Sequence, residues 1–236
     1  MNEHFSKKDL DAIKADLDEN YFTPIILDSL DIVGTTKNVC DIGCGNGVFT
    51  IILKKLQSCN LVGVDGSEYA LSKANDLGFD STIKINDFSK DKLPFENNKF
   101  DLVVNKDVLE HLVDPYHLIK ELFRITKKNG YALIHVPNHF PILGRLKFLF
   151  SNNIDTFKYF PDAKRWNFPH IRFYTKESIL ELIKISGFSI EKDLSFYFGR
   201  LPIFWRLIPL KIRKFIFNRF SNSLCEGFTF LAKKVK

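Results

Sequence analysis

NVCDIGCGNGVFT, residues 38–50, is an apolar run that ends on an acid and passes directly into glycines at 43, 45 and 47. Residues 38–42 read as a strand and 48–57 as the helix that follows. Glycines at alternate positions let a backbone turn sharply and come close to a ligand. The start of the next helix adds unpaired N–H groups that favour an anionic or polar ligand. A dinucleotide-binding fingerprint would place a glycine at position 48, where this chain has Val48. The spacing G-x-G-x-G therefore counts against a pyrophosphate ligand.

Outward from this loop, short apolar runs recur at 61–64, 82–85, 100–104 and 132–136, with helical stretches at 68–77 and 115–127. Strands alternating with helices predict a parallel sheet covered on both faces, doubly wound by right-handed crossovers. Residues 6–33 read as one or two amphipathic helices, with Leu10, Ile13 and Leu17 at helical spacing. After the fifth strand, 137–172 contains no clear element, and a loop of that length is usually functional. A helix over 176–186 ends at Gly187. A candidate strand at 188–198, a basic aromatic segment and a closing strand at 227–232 complete the chain. It reads as one domain, 1–236, with a helical lead over 1–34 and insertions at 137–172 and 199–225.

Two acids stand where such a sheet places ligand contacts. Asp65 ends the second strand 20 residues beyond Gly45, and Asp87-Phe88 follow the third. A strand-end carboxylate can accept from a ribose diol. An acid beside an aromatic ring suits an adenine, whose amino group donates and whose ring stacks. Either acid alone reads more often as a helix cap; the ordered set of three strand ends is the stronger signal.

Of the 236 residues, 45% are hydrophobic and 26% charged, which excludes a disordered, collagen-like or disulfide-dense chain. Cys40, Cys44, Cys59 and Cys225 have neither paired nor metal-finger spacing, which favours a reducing compartment. No secretory h-region and no span-length apolar stretch is visible, so the expected location is cytoplasmic, with the inner membrane face as an alternative. The net charge is +6, yet 140–150 and 196–220 together carry eight cations and no acid, so the basicity is local.

Taken together, VCDIGCGNGVFT, LVGVDGS, NDF and FDLVVNKDVLEHLVDPYHLIKELFRITKKNGYALIHVPN resemble the class I S-adenosylmethionine-dependent methyltransferases over roughly residues 35–190. LPFENNKFDLVV followed by LEHL is similar to the branch that methylates small molecules, quinone precursors and sugars. The resemblance implies an α/β fold with a mostly parallel seven-stranded sheet, an antiparallel last strand and an inserted lid. It implies S-adenosyl-L-methionine as cofactor, with S-adenosyl-L-homocysteine as product. It also implies that Gly43, Cys44, Gly45 and Gly47 form the cofactor loop and that Asp41 helps hold the amino-acid end. Asp65, Gly66 and Ser67 would meet the ribose, Asp87 and Phe88 the adenine, and Asn105 would stand beside the sulfonium.

Relatives that methylate amide or base nitrogens commonly carry an Asn/Asp-Pro-Pro-aromatic sequence after the fourth strand. This chain has Asn105-Lys106-Asp107-Val108, which points to a hydroxyl acceptor, and a hydroxyl needs a base. His111 is the first candidate. Asp107, Glu110 and His111 are similar to the E-x-x-E-H metal triad of quinone O-methyltransferases, with Asp107 at the first glutamate position. A plain helix start is the alternative, and metal-free catalysis is the expectation.

The resemblance places both insertions at the carboxyl edge, where they would form a lid. His139, Arg145, Trp166, His170, Arg172, Tyr174 and Arg200 are its candidate acceptor contacts, the arginines suiting an anionic group. A small or carrier-linked acceptor such as a sugar is the first expectation. A membrane-associated enzyme acting on a quinone or lipid-like phenol is the second, and a cofactor-fold binding protein the non-enzymatic one. LKIRKFIFNRF within 199–220 reads as a short basic amphipathic helix, either on lipid or against the core with a solvated rim. Nucleic acid is not expected, since no recognised module appears. A monomer and a homodimer both fit.

Overall fold

The computed structural model describes residues 19–151, 169–198 and 208–235. A first helix, α1 (Glu19–Val33), leads into the sheet, and the expected helix positions at Leu10, Ile13 and Leu17 lie outside the described residues. The glycine loop follows β1 (Asn38–Ile42) and delays α2 (Ile51–Leu56) by three residues beyond the expected start at 48. Thr50 stands at the cap position of α2, but its hydroxyl donates to Asp41 Oδ2 instead of capping. β2 (Asn60–Asp65), α3 (Glu68–Leu77) and β3 (Ser81–Lys84) complete the first half. The bounds of α3 match the expectation because both ends are signalled locally. Ser67 accepts from the Ala70 amide at its start, and Gly78, at φ +107°, closes its end.

The second half contains β4 (Phe100–Lys106), a 3-10 turn at Leu109–His111, α4 (Pro115–Ile125) and β5 (Thr126–Pro137). Pro115 opens α4 with Asp114 as its cap. Its stripe of Leu118, Ile119, Leu122 and Ile125 is wholly buried, each side chain contributing roughly 1.5–3 kcal/mol. The insertion expected to lack regular structure contains α5 (Ile142–Ser151). Then come α6 (Lys176–Ile185), β6 (Ser189–Asp193), a 3-10 turn at Ser195–Phe198, α7 (Leu210–Arg219), α8 (Ser221–Leu224) and β7 (Gly227–Lys233). The sheet order is β3-β2-β1-β4-β5-β7-β6, with β1 to β5 parallel and β7 antiparallel to both its neighbours.

Strands buried on both faces read as unbroken apolar runs. Val39, Cys40 and Ile42 in β1 and Leu102–Val104 in β4 are inaccessible, and they divide between two apolar clusters, one on each side of the sheet. The ladder reverses direction between β1's two neighbours: β2 follows it in sequence, whereas β4 is reached by a crossover past β3. Ligands bind beyond the carboxyl ends of strands at such a switch point.

Candidate active site

The glycine loop is pinned to the sheet from behind. Gly43 and Cys44 donate their amides to the Val64 carbonyl, and the Cys44 side chain is buried. Gly43, Gly45 and Gly47 all hold positive φ, at +75°, +54° and +80°. A Cβ on Gly43 would lie 2.1 Å from Val108 Cγ2, and one on Gly47 would lie 2.4 Å from the Phe79 ring. A Cβ on Gly45 would meet nothing within 4 Å. Two of the glycines are thus required by the protein's own packing, and the middle one faces open space.

Asp65 ties the loop to β2. Its Oδ2 accepts from the Gly45 amide and its Oδ1 from the Ser67 amide, each at 2.9 Å. The Gly66 amide also bonds the carboxylate, which keeps acceptor capacity for a ribose hydroxyl. Gly66 lies between these two anchors, and the Ser67 hydroxyl caps α3. Asp41 is buried, and burial pushes its carboxyl up to about 7 against the Thr50 hydrogen bond. Asn105 is also buried. Its Nδ2 donates to the Ile42 carbonyl at 2.9 Å, tying the ends of β1 and β4, and its Oδ1 has no hydrogen-bond partner. The open face at Gly45, the two-oxygen Asp65 and the orphaned Asn105 oxygen together fit an adenosyl cofactor with a polar tail.

The adenine contacts are less straightforward. Asp87 Oδ1 accepts from the Ser89 amide and Oδ2 pairs with Lys90 at 3.3 Å, which holds the carboxyl below its ordinary range. Phe88 departs from the expectation. Its ring is buried in the cluster that includes Val64, Ile85 and Leu109, so it stiffens the turn and offers no face for stacking.

At the end of β4 the structure separates the three residues that resemble the E-x-x-E-H triad. Asp107 has φ +55° and leaves the strand in a left-handed turn, so it does not share a face with Glu110 and His111. Its carboxylate is bonded to Lys106 and lies 3.2 Å from His135 Nε2. Burial favours its protonated form, but Lys106 and His135 override that and hold it well below the usual carboxylate range. The other His135 nitrogen, Nδ1, meets Thr229 Oγ1 at 2.7 Å. The sequence reading missed His135, because it sits in the buried run 132–136 of β5 and its partner Thr229 is 94 residues away. Gly227 on the neighbouring strand leaves room for the ring: a Cβ there would lie 2.2 Å from His135 Cε1.

A second cluster lies under the turn. Glu110 is fully buried, and neither of its oxygens has a hydrogen-bond partner among the described residues. His111 Nε2 and His170 Nε2 both approach Glu110 Oε1 to 4.0 Å. His111 Nδ1 donates to the Pro169 carbonyl at 3.1 Å, and His170 Nδ1 meets His139 Nε2 at 2.6 Å. Burial, and then the Asp107 charge, raises the Glu110 carboxyl well above its ordinary value. Burial and His111 lower His139 to about 4 and His170 to about 3, so both are neutral near pH 7.

Other expected acceptor contacts serve the scaffold. Arg145 donates to the carbonyls of Phe140 and Asn222, and Arg172 to those of Leu112 and Val113. Tyr174 is buried and donates to the Leu109 carbonyl at 3.3 Å. Trp166 and Arg200 lie outside the described residues.

Comparison with known proteins points to a methyltransferase domain. A family model described as a methyltransferase domain matches residues 15–193. An uncharacterized methyltransferase of Schizosaccharomyces pombe is 38% identical over 113 residues, covering 44% of this chain and 41% of that protein. A ubiquinone biosynthesis O-methyltransferase of Pelagibacter ubique is 33% identical over 110 residues, covering 43% of each. The chain spans about two fifths of the length of these curated relatives. An S-adenosylmethionine-dependent methyltransferase of Mesorhizobium loti has the same fold, with TM-score 0.61 at 19% identity over 90% of this chain and 97% of its own. With the matched region running from the lead helix through β6, the chain belongs to the S-adenosylmethionine-dependent methyltransferase-domain family.

Proposed function

We propose that this methyltransferase O-methylates a hydroxyl on an amphiphilic, phenol- or quinol-like acceptor presented at an anionic membrane surface. The observation that carries the reading is α5, which leaves the site edge five residues after β5. Ile142, Leu143, Leu146, Phe148, Leu149 and Phe150 are all exposed, Phe150 at 84%. The helix carries Arg145 and Lys147 and no acid. α7 adds Lys211, Arg213, Lys214 and Arg219, again without an acid, and exposes Ile212 and Phe215. Single exposed apolar residues are ordinary, but a contiguous apolar face with a basic rim is the pattern of an interfacial helix. No described helix is long and apolar enough to cross a membrane.

The anionic-sugar reading loses support because Arg145 and Arg172, two of its recognition groups, are engaged by backbone carbonyls; the third, Arg200, lies outside the described residues. The name of the Pelagibacter relative, a ubiquinone biosynthesis O-methyltransferase, supports the amphiphilic reading.

S-adenosylmethionine, when bound, supplies a methyl already activated on a sulfonium. The chain's own task is alignment and removal of the hydroxyl proton. His111 was the expected base, but its nitrogens face Pro169 and Glu110. Asp107 instead presents a carboxylate at the end of β4, two residues beyond Asn105, with 41% of its side chain exposed. A hydroxyl donating there would give its proton to the Asp107–His135 pair, with His135 Nε2, 3.2 Å from the carboxylate, as its final seat, because Lys106 and His135 hold Asp107 too far below the ordinary range to keep it alone.

The test is an acceptor screen that follows S-adenosylhomocysteine. Alkylated or prenylated catechols in anionic vesicles should turn over, and nucleotide-sugars should not. Turnover of nucleotide-sugars in preference to the phenols would overturn the proposal.

A further inference from the structure

Residues from two distant segments converge in the Glu110 cluster. Glu110 and His111 sit on the 3-10 turn after β4, and His170 comes from the far end of the insertion that begins at 137. The Ile171 and Arg172 amides donate to the Glu110 carbonyl at 2.9 and 3.0 Å, so the backbone already holds the two segments together. Glu110, His111 and His170 each offer a ligand atom, and all three atoms lie within 4.8 Å of one another. Asp107, the remaining member of the sequence pattern, is turned away to Lys106 and His135.

From this geometry we infer that Glu110, His111 and His170 form a binding site for one borderline divalent cation such as Zn2+, with His139 orienting His170. A buried carboxylate with two oxygens and no donor is costly unless it meets a cation or keeps its proton. The imidazoles are presented in the form a metal requires. Pro169 can only accept, so His111 Nδ1 carries the proton and Nε2 carries the lone pair. When His170 donates from Nδ1 to His139, its Nε2 is likewise a lone-pair donor. Metal-bound histidines regularly commit their second nitrogen to such a partner.

The dimensions are close to those required. A point between the three atoms lies roughly 2–2.5 Å from each, against Zn–N and Zn–O bonds of about 2.0–2.2 Å. A contraction of a few tenths of an ångström completes three bonds. Two imidazoles and one carboxylate suit zinc and the later first-row metals better than Mg2+, which prefers an all-oxygen shell. The ion would clasp the 169–174 segment against the end of β4. This holds whether or not the acceptor is amphiphilic, and the test does not depend on turnover.

Full-length protein stripped with a chelator and dialysed is titrated calorimetrically with Zn2+, and in parallel with Co2+ while its visible absorption is followed. The expected result is one equivalent bound per chain at micromolar affinity or tighter, with visible Co2+ bands. Glu110→Gln and His170→Ala should each lose at least about 100-fold in affinity, and His139→Ala about 10-fold. Thermal melting of each chelated variant shows whether it folds. A variant that does not fold is replaced by His111→Gln, which is judged on the same affinity loss. Absence of a tight equivalent in the wild-type chain would refute the site. So would equal Zn2+ affinity in the folded Glu110→Gln and His170→Ala variants, which would place the ion on the cysteines or the surface.

Discussion

A methyl group added at Gly43 would overlap Val108, whereas one added at Gly45 would meet no atom of the described residues within 4 Å. Both residues hold positive φ, so either alanine carries a backbone cost of about 1–2 kcal/mol. Beyond that shared cost the two substitutions should diverge. Gly43→Ala must displace Val108 and should lower the melting temperature markedly, by an additional 1–3 kcal/mol of overpacking. Gly45→Ala should melt close to the cost of its φ alone and lose S-adenosylmethionine affinity by 10-fold or more. Melting curves paired with calorimetric titration separate the two effects. Equal affinity in Gly45→Ala would mean that the cofactor does not approach that face of the loop.

The elements that could be read from the sequence are those whose ends are signalled within a few residues. Ser67 and Gly78 bound α3 through a cap and a left-handed terminus, and Asp114-Pro115 start α4 in the same way. The strands β1, β2 and β4 declare themselves by burial on both faces. By contrast, PILGRLKFLF contains neither a capping residue nor an acid, so α5 reads as loop. The site divides along the same line. Asp65 and the glycines act through neighbours on adjacent strands, but the left-handed turn at Asp107 and its bond to His135 depend on β5 and β7. No local pattern carries that information. This β4 exit is where the chemistry should be sensitive. Asp107→Asn should keep cofactor affinity within about twofold and lower kcat by about 10²–10⁴-fold, the range of a general base. The His111→Ala variant should fall less in kcat than Asp107→Asn. If His111→Ala loses more turnover while still binding cofactor, the base is the histidine expected from the sequence.

At the scale of the whole molecule, two helices without acids, α5 and α7, carry several of the exposed apolar residues. The acid-free helices α5 and α7 both stand by the exits of β5 and β6. Arg145 of α5 donates to the Asn222 carbonyl of α8, and Asn138 at the end of β5 donates to the same carbonyl and to that of Cys225. Phe198, in the turn beside which α7 packs, lies against the His135 ring at 4.0 Å. A surface seated on these helices would therefore press close to the proposed reaction centre, and an acceptor anchored in lipid would have little distance to cross. Basic residues near an anionic surface contribute on the order of 1 kcal/mol each, and salt screens them within a Debye length. Lys211→Glu with Arg219→Glu should thus weaken co-sedimentation with phosphatidylserine vesicles by at least about 10-fold at low salt. Leu149→Glu with Phe150→Glu should weaken it at every salt concentration, because that pair removes the apolar contact. Both double variants should bind S-adenosylmethionine as the wild type does, since neither pair touches the glycine loop. Vesicle binding that is unchanged in both would leave these helices as an ordinary solvated surface and move the entry of the acceptor elsewhere on the sheet edge.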